Sequence, residues 1–168
     1  FRRVLFRSRM WDDYRNPLFP YFNGFFHSPM GLPESYRDVR FLPHSFIEAL
    51  FFPAVIAADP AHVGEIVFRD GRILAAYIVL LVTPVVFLLR RRGAETYAAI
   101  PPALRYLLAA AVASFAVWTG MFAIYRYAIP LEMMSPLLAV GLVAVWPVSA
   151  RTRIVVAGAV LIAAAATT

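Results

Sequence analysis

After Arg72 the chain is cut by small groups of arginines into long uncharged stretches, and this pattern constrains its fold more than any other feature. Ile73–Leu89 runs for seventeen residues without a charge. That is just inside the length a helix needs to cross the hydrocarbon core of a bilayer. Pro84 lies within it, tolerable in a membrane helix whose neighbours satisfy the freed carbonyl. Leu104–Tyr125 follows, with Arg105 at one end, where a guanidinium on an apolar stem reaches the interface. A third run has its core at Leu137–Ala150 and begins near Leu131. A fourth, Ile154–Thr168, is rich in alanine and carries Gly158, a composition suited to close helix packing in lipid. Of the 168 residues, 61% are hydrophobic, against about half in an average soluble domain. The expected fold is all-α: a polytopic transmembrane bundle with spans near 73–89, 104–125, 131–150 and 154–168, preceded by an extracytoplasmic loop and interfacial-helix region over 9–72.

Arginine placement sets the expected orientation. All 16 basic residues are arginine. Arg90, Arg91, Arg92 and Arg105 bracket the loop between spans one and two, and Arg151 and Arg153 bracket the loop between spans three and four. By the positive-inside rule these loops face the cytoplasm. Arg126 to Glu132, and everything before Ile73, then lie outside. The acidic residues agree, because only Glu95 of the 10 falls on the inner side. The net charge of +6 does not point to nucleic acid, since the arginines sit at the ends of apolar runs and not on one polar face. Absence of cysteine excludes disulfides and thiolate metal sites, and His27, His44 and His62 form no ligand-spaced pair.

Phe1–Ser8 has no initiator Met, and Leu5-Phe6-Arg7-Ser8 matches the translation of a common sequencing-adapter end; it is given no function. The far end stops inside an apolar run, so the chain reads as truncated at both ends. Met10–Arg72 holds seven of the 13 prolines, too many for one continuous helix. Trp11, Tyr14, Phe19, Tyr21, Phe22, Phe25 and Phe26 make it dense in aromatics, which favour the headgroup level. Ser45 followed by Glu48 is a capping-box pattern. The apolar Phe46–Ala58 behind it is too short to cross and reads as an interfacial or re-entrant helix, broken or kinked near Pro53.

Four groups of residues are candidates for chemistry. The first is Asn16-Pro17-Leu18-Phe19-Pro20-Tyr21-Phe22-Asn23-Gly24. Asn16-Pro17 favours a turn and Asn23-Gly24 favours positive φ, giving a stiff aromatic loop. Such a loop offers a floor for a sugar or lipid, with Asn16, Tyr21 and Asn23 as contacts, or serves as an aromatic belt. The second is Arg-Asp-x-Arg, which occurs twice, as Arg37-Asp38-Val39-Arg40 and Arg69-Asp70-Gly71-Arg72. Guanidinium forks suit phosphate, with the aspartate orienting one of them; the plain alternative is contact with lipid headgroups. The third is Arg126 with Glu132, joined by a short turn containing Pro130, with Arg126 as a phosphate contact and Glu132 as its orienting partner. The fourth is Asp12-Asp13, which would hold a divalent cation only if a turn brought the carboxylates together, since neighbours on a helix diverge.

The Asn16–Pro29 segment, Arg37–Pro43, Phe68–Arg72 and Arg126–Glu132 together resemble a family of bacterial polytopic membrane proteins assigned to the GT-C glycosyltransferase superfamily. The resemblance runs over roughly Met10–Glu132. It implies transfer of a sugar from a polyprenyl-phosphate carrier to a saccharide or other envelope acceptor. The reaction would be displacement at the anomeric carbon on the outer face of the bacterial cytoplasmic membrane. It implies no cofactor beyond a divalent cation that some such enzymes need. It also implies that the catalytic carboxylate belongs to an earlier outer loop outside this sequence, so that no residue here is assigned that role and the chain alone is inactive. The rivals are a transporter or flippase for a lipid-linked saccharide and a non-catalytic membrane subunit. Reporter fusions at Asn23 and Ala94 test the orientation: they are expected in opposite compartments, and a shared compartment overturns it.

Overall fold

The computed structural model describes residues 2–34, 39–64, 70–90 and 100–167, and all regular structure among them is helical. The helices are α1 (Arg2–Tyr14), α2 (Asn23–Phe26), α3 (Phe46–Ala58), α4 (Arg72–Arg90), α5 (Pro102–Met121), α6 (Ile129–Ala144) and α7 (Ala150–Ala166). Short 3-10 turns occupy Pro60–His62 and Tyr125–Tyr127. The chain forms two compact units, 1–40 and 41–168.

In the first unit, α1 leads into the proline-rich loop, where Tyr14 and Phe19 stack with ring centroids 4.4 Å apart. Asp12 and Asp13 both sit inside α1, about 100° apart around the helix, so no turn converges them. Two buried asparagines hold the loop. Asn16 Nδ2 donates to the Tyr21 carbonyl at 2.9 Å, and its Oδ1 accepts the Leu18 amide at 2.9 Å. Asn23 Nδ2 donates to the carbonyls of Ser28 (3.1 Å) and Leu32 (2.6 Å), and its Oδ1 accepts the Ser28 amide at 2.8 Å. Gly31 passes so close that a Cβ there would lie 2.7 Å from the Asn23 amide nitrogen.

The expected positive φ at Asn23-Gly24 is not where the backbone turns. Both residues are helical, no described glycine has positive φ, and the left-handed positions are Arg15, Phe22, His27 and Ala123. Phe22 (φ 54°) and His27 (φ 53°) flank α2. The asparagine bonds across the loop over-determine its path and impose a conformation that a side chain with Cβ disfavours.

In the second unit, α4–α7 run alternately up and down. Arg72 meets Glu132, so α4 and α6 start at the same end. A Cβ on Gly141, late in α6, would touch Leu104 at the start of α5. A Cβ on Gly71 would touch Thr167, just past the end of α7. The stripe Ala76 and Val79 of α4 packs with Leu104 and Ala111 of α5 and Leu138, Ala139, Leu142 and Val143 of α6. A second core, Phe52, Ile56, Val63, Ile73, Trp118, Tyr125 and Leu131, joins α3 to the starts of α4 and α6. Among the described residues, α4 and α5 are long and apolar enough to cross a membrane. At 16 residues, α6 spans about 24 Å.

The helices differ from the expected runs at their ends. α5 stops at Met121 rather than Tyr125, because Ala123 turns left-handed and the Trp118 indole donates to the Ile124 carbonyl at 2.9 Å. α6 begins at Ile129 and ends at Ala144, before Pro147. There Arg153 donates to the carbonyls of Ala144 (3.0 Å) and Val148 (3.1 Å), a cation at a helix C-terminus. α7 starts at Ala150, capped by Ser149 Oγ accepting the Thr152 amide at 3.1 Å, so Arg151 and Arg153 are helical.

Ser45 caps α3 as its pattern predicts, accepting the Glu48 amide at 3.1 Å, but the Glu48 carboxylate accepts from His44 N (2.7 Å), one residue further back than in a regular capping box. The helix runs unbroken through Pro53. It is apolar on both faces: Phe52, Pro53 and Ile56 are buried while Phe46, Ile47 and Phe51 are exposed.

Because His27 is exposed and left-handed at the end of α2, His27→Gly is expected to stabilise the protein by about 1 kcal/mol and His27→Val to destabilise it. Thermal unfolding of the two variants checks the sign.

Candidate functional site

The starts of α4 and α6 and the turn between α5 and α6 bring four polar side chains together. Asp70, just before α4, has a fully buried carboxylate. It accepts the Arg72 amide (2.8 Å), Arg72 Nε (3.0 and 2.8 Å to its two oxygens), Arg72 Nη2 and the Tyr125 hydroxyl (2.7 Å). Arg72 Nη2 also donates to Glu132 Oε2 at 2.8 Å, across 60 residues of sequence. By accepting the Arg72 amide, Asp70 caps the first turn of α4.

Burial pushes the Asp70 carboxyl up, but the hydrogen bonds from Arg72 and Tyr125 outweigh it, and the group sits below the usual carboxylate range. Burial, followed by the hydrogen bond to Asp70, raises the Tyr125 phenol, which therefore stays protonated and donates. One guanidinium faces two carboxylates here, so Arg72 is already neutralised and presents no surplus charge to an anion.

The same turn carries Arg126. The entry to this turn is pinned from three directions: Trp118 Nε1 donates to the carbonyl of Ile124, just before it, the Tyr125 amide donates to the Val63 carbonyl at 2.8 Å, and the Tyr125 hydroxyl donates to Asp70. Arg126 is exposed, with its guanidinium carbon 5.4 Å from the centroid of the Tyr127 ring. That ring rests 5.5 Å from Phe122.

An apolar groove of about 280 Å³ adjoins this end of the bundle. Ile73, Ala76, Tyr77 and Leu80 form one stripe of α4, Leu131, Ser135 and Leu138 the facing stripe of α6, and α5 and α3 supply Phe115 and Pro53. The α4 stripe extends over eight residues, about 10 Å. Its lining residues nearest the helix starts, Ile73 and Leu131, are the direct neighbours of Arg72 and Glu132. The hydroxyl of Ser135 is turned to the Leu131 carbonyl at 2.7 Å, which leaves the wall apolar.

Of the residues selected from sequence, Asp70, Arg72 and Glu132 therefore come together. Glu132 is the partner of Arg72, where the spacing had suggested Arg126. Asn16 and Asn23 are buried and bonded to the loop backbone within the first unit, and Tyr21 and Arg40 are exposed there. Arg37, Asp38 and Arg69 lie outside the described residues. Tyr125 was not selected. Its signal was a tyrosine beside Arg126 in a turn, weak without knowledge of Asp70.

Comparison with known proteins found no matching family model, no matching curated protein and no matching solved structure. A functional reading rests on the chain's own residues.

Asp70 gives the network a pH dependence. A carboxylate held below its ordinary pKa stabilises the fold fully above about pH 4, and that contribution is lost as pH falls through the lowered value. Asp70→Asn, which leaves Arg72 and Tyr125 short of a partner, is expected to cost about 3 kcal/mol at pH 7. It is also expected to shrink the acid limb of stability against pH. Unfolding followed from pH 3 to 7 checks both.

Proposed function

We propose that the chain belongs to a multi-pass protein of the bacterial cytoplasmic membrane that handles a polyprenyl-phosphate-linked sugar on the outer face, as a glycosyltransferase of the GT-C type. The observation that carries the reading is an apolar groove adjoining the end of the bundle where α4 and α6 start, together with an exposed arginine on the turn leading into α6. A lipid-phosphate carrier has the same two-part character, a greasy chain and an anionic head. In this reading the groove takes the chain. Arg126 contacts the phosphate, stabilising the charge that grows on it as the sugar departs. Asp70, Arg72 and Glu132 hold the two helix starts that frame the site. Two helices long and apolar enough to cross a membrane, α4 and α5, support the membrane setting, and the arginine pattern supports its orientation.

The test uses the protein in lipid nanodiscs, with farnesyl phosphate as probe and farnesol as the matched alcohol. The phosphate is expected to bind at least tenfold more tightly, and Arg126→Ala to remove most of that preference. Equal binding of the two probes removes the reading. Transfer of labelled sugar to an acceptor, as against its movement unchanged across the bilayer, separates a transferase from a carrier.

A further inference from the structure

The turn that bears Arg126 is held far more firmly than an exposed three-residue turn requires. Its backbone is fixed by Trp118 on one side and Val63 on the other, and its first side chain is buried against a carboxylate. Tyr125 has 5% of its surface exposed, while Arg126 and Tyr127 beside it stand in the open. A 3-10 turn places consecutive side chains about 120° apart, so fixing Tyr125 inward fixes where Arg126 departs from the backbone. Tyr127, steadied by Phe122, then lies near the guanidinium. Rigid support of this kind lowers the ordering cost of holding a ligand and makes a charged contact geometrically selective.

We infer that Tyr125 is a positioning residue that presents Arg126 to an anionic phosphate headgroup, through its hydrogen bond to Asp70. The phenol touches no ligand itself. It ties the turn to the one side chain in the network whose own place is fixed by four hydrogen bonds from Arg72. Glu132 and Arg72 act at one remove, by holding Asp70 and the start of α6 in register. The inference rests on the proposed lipid-phosphate reading and adds to it the residue that makes Arg126 selective.

Tyr125→Phe keeps the ring in its core and deletes only the hydroxyl. In nanodiscs it is expected to weaken farnesyl phosphate about fivefold to tenfold while leaving farnesol binding unchanged. A purely structural role would weaken both probes alike. Trp118→Phe releases the Ile124 carbonyl from the other side and is expected to give the same phosphate-specific loss. It provides the answer if Tyr125→Phe fails to fold. Inorganic phosphate and vesicles containing phosphatidic acid form further arms: competition by both assigns the site to the phosphate group itself, and competition by the vesicles alone assigns it to a membrane-borne headgroup. If Arg126→Ala abolishes the phosphate preference but Tyr125→Phe and Trp118→Phe retain it, the positioning role is overturned and the lipid-phosphate reading stands. If Arg126→Ala leaves the preference intact, both are overturned.

Discussion

The second unit depends on a buried carboxylate. Asp70 is fully buried and would be costly there alone; it is tolerated because a guanidinium, a backbone amide and a phenol surround it. Through these partners it joins segments that are far apart in sequence: the approach to α4, the first turn of α4, the turn after α5 and, by way of Arg72, the start of α6. Apolar side chains of similar volume would fill the same space with comparable stability. What the charged group adds is a unique pairing. Leu, Val and Ala stripes slide past one another at small cost, whereas a carboxylate, a guanidinium and a phenol meet in one register only. The apolar groove and the placement of Arg126 both follow from that register.

The long helices were legible in the chain because their cause is local. Uncharged runs such as Ile73–Leu89 have few alternatives to α-helix, and Ser45 announces the start of α3 by its hydroxyl and Glu48 alone. Helix ends were less legible where a side chain several residues away decides them. α5 yields to the indole of Trp118, and α6 to Pro147 and the Arg153 fork. Pairings across the fold were the least legible. Glu132 lies six residues from Arg126 and sixty from Arg72, yet it bonds to Arg72, because the helix starts converge only after the bundle packs. Tyr125 acquires its role from the same convergence.

The first unit shows how a promising motif is absorbed by its own loop. Asn16 and Asn23 have the right chemistry for a sugar, but their amides replace missing backbone bonds in a segment where proline prevents regular structure. They are brackets that keep a proline-broken chain compact. Several apolar side chains of the unit face outward: Phe25, Met30 and Leu32 are each more than two-thirds exposed. Apolar surface of that extent suits the boundary between headgroups and acyl chains better than free water.

Besides the Arg72–Glu132 bond at the starts of α4 and α6, α4 is fastened again about eleven residues further along, where the indole of Trp146, two residues past the end of α6, donates to Thr83 Oγ1 at 3.0 Å. The same hydroxyl donates to the Val79 carbonyl, beside Pro84, so the joint falls where α4 is otherwise weakest. Two polar bolts a few turns apart turn the parallel pair into a strut that resists both shear and rotation. Sliding or turning one helix of the pair against the other would therefore have to break both bonds at once.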